Sequence, residues 1–218
     1  MLIIAHRGAN KDPENSLSAI RSAMKQGFSA LEFDVRASSD GVLYLLHDKR
    51  LWRTTNKHGL ISKKDSGFLK DCLLKNDEPL PKLDDALKLL ENFKGTIFVE
   101  SKMPEYEKKI LFLIKKHSLA NHSVFESFNF ESLKRARMLD KKIRLLYTLW
   151  IPTRKSLKKA KSINCYALAP PAWSLRKRFV QSAKKEKIKI YAFDVKTKTL
   201  LKRVRSLDID GIFADKYY

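Results

Sequence analysis

The chain is short of the residues and segments that would mark a secreted, membrane-spanning or multidomain protein. Only two of its 218 residues are cysteine, Cys72 and Cys165. Neither stands at a metal-type spacing from another Cys or His, so two unpaired thiols in a reducing compartment are expected, without a disulfide framework. No apolar run approaches the ~20 residues that span a bilayer. The opening Met1-Leu2-Ile3-Ile4-Ala5 is apolar but meets His6 and Arg7 at once. It lacks the basic flank and the length of a secretory leader, so a cytoplasmic protein is expected. No solenoid-type repeat, low-complexity linker or composition boundary interrupts the sequence, and one domain over residues 1–218 follows.

Acids are also scarce, 24 against 45 Lys and Arg, which leaves a net charge of +21. Such a charge can mark a nucleic-acid or anionic-membrane partner. Here the bases are spread along the whole chain, in pairs such as Lys63-Lys64, Lys115-Lys116 and Lys184-Lys185, mostly on the polar sides of amphipathic helices. They read as a solvated surface that draws in anionic small molecules. No nucleic-acid partner and no stable membrane insertion are expected.

What is present is organised around Ala30-Leu31-Glu32-Phe33-Asp34-Val35. This reads as a buried strand carrying two acids. Residues i and i+2 of a strand face one side, so Glu32 and Asp34 share a face while Leu31, Phe33 and Val35 take the other. Paired carboxylates on an apolar strand repel each other and resist desolvation. A hard divalent cation relieves both. The competing reading is an exposed edge strand with its acids in water.

The rest of the chain alternates. Leu2–Ala5 is a strand, and Pro13-Glu14-Asn15-Ser16 opens a helix with Leu17, Ile20, Ala23 and Met24 at helical spacing. Val42–Leu46 is a further extended run, closed by His47-Asp48, and residues 49–81 read as irregular. Strands at 96–100, 123–127, 143–148, 165–169, 188–193 and 211–214 then alternate with helices at 82–92, 105–117, 130–139, 154–161, 175–187 and 199–207. With Val42–Leu46 set aside, eight strands remain. The fold class is α/β, a small (β/α)8 TIM barrel with a short insertion after the second strand.

Such a barrel carries its site at the carboxyl ends of its strands. There the sequence places His6-Arg7, Glu32 and Asp34, His47, Glu100 and Lys102, Ser127-Phe128, Tyr147-Thr148, Phe193-Asp194 and Asp215. Glu32, Asp34 and Glu100 can give three oxygen ligands to Mg²⁺ or Ca²⁺. His6 and His47 can divide acid and base work near neutral pH. Arg7 and Lys102 can hold an anionic group. Together these fit chemistry on a phosphodiester. Duller roles compete: a core histidine at 6, a turn cap at His47-Asp48, a structural ion pair between Glu100 and Lys102. His58, His117 and His122 read as surface residues, and Trp52, Trp150 and Trp173 as packing or loop residues.

These residues stand in an order that resembles the glycerophosphodiester phosphodiesterase family of (β/α)8 barrels. His6-Arg7-Gly8, Pro13-Glu14-Asn15-Ser16, Glu32-Phe33-Asp34-Val35, His47-Asp48, Arg53-Thr54-Thr55, Pro81-Lys82-Leu83, Glu100-Ser101-Lys102, Ser127-Phe128 and Asp210–Asp215 match its motifs in sequence. The resemblance implies one catalytic domain that hydrolyses glycerophosphodiesters, such as glycerophosphocholine or glycerophosphoethanolamine, to sn-glycerol 3-phosphate and an alcohol. It implies metal ligands Glu32, Asp34 and Glu100, acid/base residues His6 and His47, and phosphate contacts from Arg7 and Lys102. One stretch departs: the family's Trp-Thr-Val-Asn at the seventh strand is Phe193-Asp194-Val195-Lys196 here. The apolar wall then falls to the smaller ring of Phe193, and head-group preference is less defined than reaction class. A lysophospholipase D or sphingomyelinase D-like activity on the same barrel is the nearest alternative. A nucleic-acid-binding barrel is the alternative that the charge suggests.

Overall fold

Apolar alternation along short strands closes the sheet on itself. The computed structural model describes residues 1–8, 13–193, 195 and 197–215; Asp194 and Lys196 of the departing stretch lie outside the described residues. The strands are β1 (Leu2–Ala5), β2 (Ala30–Ala37), β3 (Leu43–Leu45), β4 (Thr96–Ser101), β5 (Ser123–Ser127), β6 (Arg144–Thr148), β7 (Ala167–Ala169), β8 (Lys189–Ala192) and β9 (Gly211–Ala214). The helices are α1 (Leu17–Lys25), α2 (Ser66–Leu69), α3 (Leu83–Leu89), α4 (Glu107–Lys116), α5 (Phe130–Leu139), α6 (Arg154–Ser162), α7 (Lys177–Lys185) and α8 (Lys198–Ser206). Eight strands pair in parallel, and β1 closes the ring by pairing with both β9 and β2. β3 is the antiparallel extra, paired to β2 through Val35–Leu45, Arg36–Tyr44 and Ala37–Leu43. That hairpin is why β2 runs on to Ala37, beyond the expected Val35.

The pleat sorts the residues of β2 as their parity predicts. Leu31, Phe33, Val35 and Ala37 pack into the large core between sheet and helices. Ala30 joins Ile4, Phe98, Val124, Leu146, Ala167, Tyr191 and Phe213 inside the ring. The edges of Phe98, Tyr191 and Phe213 meet there, with the Phe98 centroid 5.6 Å from each of the other two. These rings fill the barrel below Glu32 and Asp34, so the two acids sit on an apolar floor. The edge-strand reading of Ala30–Val35 is excluded, because β2 is paired on both sides and buried throughout.

The segment after His47 is more ordered than expected. It contains α2 and a short 3₁₀ turn at Ile61–Lys63, and its Leu51, Ile61, Leu69, Cys72, Leu74 and Leu80 form an apolar cluster with Tyr44 and Leu46. α7 starts at Lys177 rather than 175. Pro171 is extended there, a 3₁₀ turn occupies Ala172–Ser174, and Leu175 is extended and buried.

Truncating the central floor ring tests this packing. Phe98→Ala is expected to cost about 3–5 kcal/mol in chemical denaturation, and Phe98→Leu about 1.5 kcal/mol or less. A loss below about 1 kcal/mol for the alanine variant would show that the ring stack is not what holds the floor.

Candidate active site

The site is assembled first by the turn after β1. Arg7 and Asn15 both adopt left-handed backbone conformations, with φ of 53° and 62°, which non-glycine residues hold only where other contacts fix them. Those contacts are visible. The Arg7 amide donates to Glu32 Oε2 at 2.9 Å, and the Asn15 amide donates to Arg7 O at 2.9 Å. Asn15 Nδ2 donates to Asp34 Oδ2 at 2.9 Å, while its Oδ1 accepts from the Asp34 amide at 3.0 Å. Gly8 has φ of +89°, and a Cβ there would lie 2.5 Å from that of Ala19. Only glycine lets this turn approach α1 so closely.

A cleft of 460 Å³ opens at the carboxyl ends of the strands, lined among others by His6, Arg7, Glu32, His47, Glu100, Lys102 and Phe193. Asp34 lies buried just beneath it. Glu32, Asp34 and Glu100 are all buried, and each can bring one oxygen within 4.8 Å of the others. Lys102 Nζ donates to Glu100 Oε1 at 2.7 Å and stands 3.0 Å from Asp34 Oδ1. Arg7 Nε lies 3.2 Å from Asp34 Oδ2 as an ion pair without hydrogen-bond alignment. Glu32 Oε1 is buried with no hydrogen-bond partner.

Electrostatics divides these acids. Burial opposes ionisation of Asp34, but Lys102, Arg7 and His47 outweigh it and hold its carboxyl well below the usual range. Burial, then the charges of Asp34, Glu126 and Glu100, push Glu32 well up. Burial and Asp34 push Glu100 up to about 7 despite Lys102. Three buried hard-oxygen donors, one with an orphaned lone pair and two reluctant to ionise, are chemically suited to a divalent cation.

Each histidine at the cleft is oriented by an acid. His6 donates Nδ1–H to Asp215 Oδ1 at 2.9 Å. His47 donates Nδ1–H to Asp48 Oδ1 at 2.7 Å. A carboxylate on Nδ1 fixes the tautomer and leaves Nε2 for proton exchange. Behind His47 the chain of charges continues: Arg53 Nε donates to Asp48 Oδ2, Arg53 Nη1 donates to Glu14 Oε2 at 3.0 Å, and Arg7 Nη1 donates to the same oxygen at 3.2 Å. Arg36 Nε donates to His47 O at 2.7 Å and fixes the end of β3. Burial lowers the pKa of His47, with Asp34 opposing and Arg7 and Lys102 assisting the shift.

The structure brings together all eight residues that the sequence singled out, and it adds others. Glu126, which sequence reasoning missed, is an inward-facing acid in register with Glu100. Its Oε1 accepts from Thr148 Oγ1 at 2.7 Å, and its Oε2 is buried without a partner. Burial and the Glu100 charge push its pKa well up. The signal was available, since Val124-Phe125-Glu126 repeats the acid-in-apolar-strand pattern of β2. Trp150 is not a mere loop residue: its ring lies 5.6 Å from Phe193 and 5.2 Å from Phe128, and all three line the cleft. Trp150 thus adds to the wall that Phe193 alone was expected to form. His117 is not at the surface. It is buried between Asp84 and Glu91, at 2.7 and 2.6 Å, and ties α4 to the α3 region far from the cleft.

Comparison with known proteins agrees with this layout. A glycerophosphodiester phosphodiesterase of Caldanaerobacter subterraneus subsp. tengcongensis is 30% identical over 98% of this chain and 93% of its own. Among solved structures, an Oleispira antarctica phosphodiesterase in complex with the product sn-glycerol-3-phosphate superposes with a TM-score of 0.90 at 26% identity, covering 99% of this chain and 93% of that one. A glycerophosphodiester phosphodiesterase of Agrobacterium tumefaciens gives 0.86 at 25%, covering 99% and 96%. With the family model of the glycerophosphoryl diester phosphodiesterases matching residues 6–217, and with the barrel and its acidic cleft in place, the chain belongs to that enzyme family.

Proposed function

We propose that the protein is a metal-dependent hydrolase of small glycerophosphodiesters, such as glycerophosphocholine or glycerophosphoethanolamine, releasing sn-glycerol 3-phosphate and an alcohol. The observation that carries this reading is a single one. Two histidines, each with Nδ1 held by a carboxylate, share a cleft with three buried acids and two cations. Glu32, Asp34 and Glu100 would hold Mg²⁺ or Ca²⁺, which supplies positive charge for a phosphate oxygen.

The chain's own groups do the rest. Arg7 and Lys102 meet the phosphate, and their charges persist because the surrounding acids outweigh their burial. His47, whose pKa burial lowers, takes a proton from the nucleophile through Nε2. His6 gives a proton to the departing alcohol oxygen as the ester P–O bond breaks. The nucleophile is water, or the glycerol 2-hydroxyl by way of a cyclic phosphate, which product analysis distinguishes. Phe193, Phe128 and Trp150 shield the head-group side of the cleft. A lysophospholipid substrate is the second reading, favoured by the exposure of Trp150 at the mouth. Turnover of lysophosphatidylcholine at or above that of glycerophosphocholine would replace the first reading by the second.

Hydrolysis of glycerophosphocholine is expected to stop in EDTA and to return with Mg²⁺ or Ca²⁺. An unchanged rate in chelator removes the metal from the proposal. Stability gives an independent readout. An acid whose folded pKa is raised destabilises the fold as pH climbs from the unfolded carboxylate range through the folded value. In EDTA the melting temperature should therefore fall as pH rises through about 7, the value for Glu100. The competent cation should reverse that fall. Glu32→Gln should abolish the cation-induced rise while leaving the chelated protein at least as stable as wild type.

The proton roles predict an asymmetric pH profile. His47 must be neutral to act, so kcat/KM should decline on the acid side only below the ordinary histidine value of 6.5. His47→Asn should cost about 10²–10⁴-fold in kcat and erase that acid limb. Retention of the limb in the variant would assign it to another group.

A further inference from the structure

The side of the barrel mouth beyond β6 and β7 carries more than the proposed chemistry uses. Trp150 and Ile151 follow β6, and Trp173 follows β7. They are 63%, 68% and 63% exposed. The backbone that presents Trp173 is held. The Ala172 amide donates to Phe193 O at 3.0 Å, and Arg203 donates to Trp173 O at 2.9 Å. Two indoles and an isoleucine are thus displayed to solvent on one side of the mouth, and amphipathic rings of this kind favour a lipid–water interface.

The charge on the same rim is placed against local stability. The helices that directly follow the barrel strands begin at the mouth, where their dipoles are positive and acids are favoured. α4 and α5 follow that rule with Glu107 and Glu131 in their first turns. α1 has none and begins with uncharged residues, and α6, α7 and α8 have none either. These last three begin instead with Arg154 and Lys155, with Lys177 and Arg178 after Arg176, and with Lys198. All six cations are exposed, and among the described residues none is ion-paired. Residues 151–215 as a whole carry seventeen basic and five acidic side chains. A shallow recess of 510 Å³, lined by Trp150, Ile151, Thr153, Lys155, Ser156 and Lys159, lies on this face beside the catalytic cleft. Cations gathered where the helices disfavour them, beside displayed indoles, match an external surface that is both anionic and apolar beneath.

We propose that this face docks reversibly on an anionic phospholipid bilayer, with Trp150, Ile151 and Trp173 entering the interfacial layer and the six cations meeting lipid phosphates. The catalytic cleft shares Trp150 with the docking face and so opens towards the lipid. A nucleic acid would use the cations and could stack on the indoles, but it has no use for Ile151. The docking is peripheral, in keeping with the absence, among the described residues, of any helix long and apolar enough to cross a membrane.

Cosedimentation of the full chain with vesicles tests this. Binding is expected to phosphatidylglycerol-containing vesicles, much less to pure phosphatidylcholine vesicles, with a blue shift of tryptophan emission and weakening by salt. Each neutralised cation should lower binding about fivefold, so Lys177→Gln with Arg178→Gln should lose about twenty-five-fold. Ile151→Ser and Trp173→Ser should each weaken binding and reduce the blue shift. All four substitutions should leave hydrolysis of soluble glycerophosphocholine at the wild-type rate, which separates lost docking from lost folding. If Trp173→Ser folds poorly, Ile151→Asp alone decides. Equal binding to both vesicle types, indifference to the Ile151 variants, or displacement from vesicles by duplex DNA at matched phosphate concentration would each overturn the proposal.

Discussion

The structure depends on keeping acids together where they repel. Glu32, Asp34, Glu100 and Glu126 project into one end of a barrel whose other end is filled by aromatic rings. At an effective dielectric of about 20, two charges about 5 Å apart repel by roughly 3 kcal/mol. A few such pairs match the whole stability of a typical domain. The four cannot all be ionised without compensation. Asp34 is the one that the protein keeps charged, between Lys102 and Arg7, while its neighbours are driven towards the neutral form. A divalent cation is what would let Glu32 and Glu100 ionise as well.

That compensation shapes the backbone around it. Arg7 reaches both Glu32 and Asp34 only because its main chain is left-handed, and this conformation is fixed by Asn15, itself left-handed and doubly bonded to Asp34. The bare side of Gly8 lets the turn sit against α1. The insertion joins the same network. Arg53 spans from Asp48, behind His47, to Glu14, beside Arg7. The apolar cluster of the insertion therefore has a purpose beyond its own packing, because it fixes the arginine that links the two ends of the cleft. Removing any one of these contacts leaves a buried charge or a strained turn without support, which is why they read as a unit.

Most of the barrel was legible because its signals are local. A period of two in β2 put Glu32 and Asp34 on one face, and alternating strand and helix periods gave eight parallel units. The residues at strand ends then had to converge, since the topology permits no other place. What stayed hidden depended on contacts distant in sequence. His117 looked like a surface residue because Asp84 and Glu91, which enclose it, lie on another element. Trp150 read as a packing or loop residue, and only the packing of the β6 and β8 ends shows that it packs against Phe193 in the cleft. The order within residues 49–81 was hidden because its apolar cluster has neither period two nor period 3.6. Glu126 is a different case, since its parity was as readable as that of Glu32. The family motif on this strand is Ser127-Phe128, which does not include Glu126.

The gathering of four acids at the cleft floor, against a surface rich in bases, bears on turnover as well as on folding. A phosphodiester carries one negative charge, whereas a phosphate monoester, with a second pKa near 6, carries close to two at neutral pH. On the proposed chemistry the product is thus the more anionic ligand. A cleft lined only by cations would bind it more tightly than the substrate and slow its release. Buried acids beneath the phosphate position oppose that bias, and they do so most strongly for the doubly charged product. The acids would then serve both halves of the cycle, holding a cation for the bond-breaking step and limiting the positive potential that remains afterwards. The exposed lysines and arginines, screened over about 8–10 Å at physiological salt, can draw anions to the mouth without holding them in the cleft.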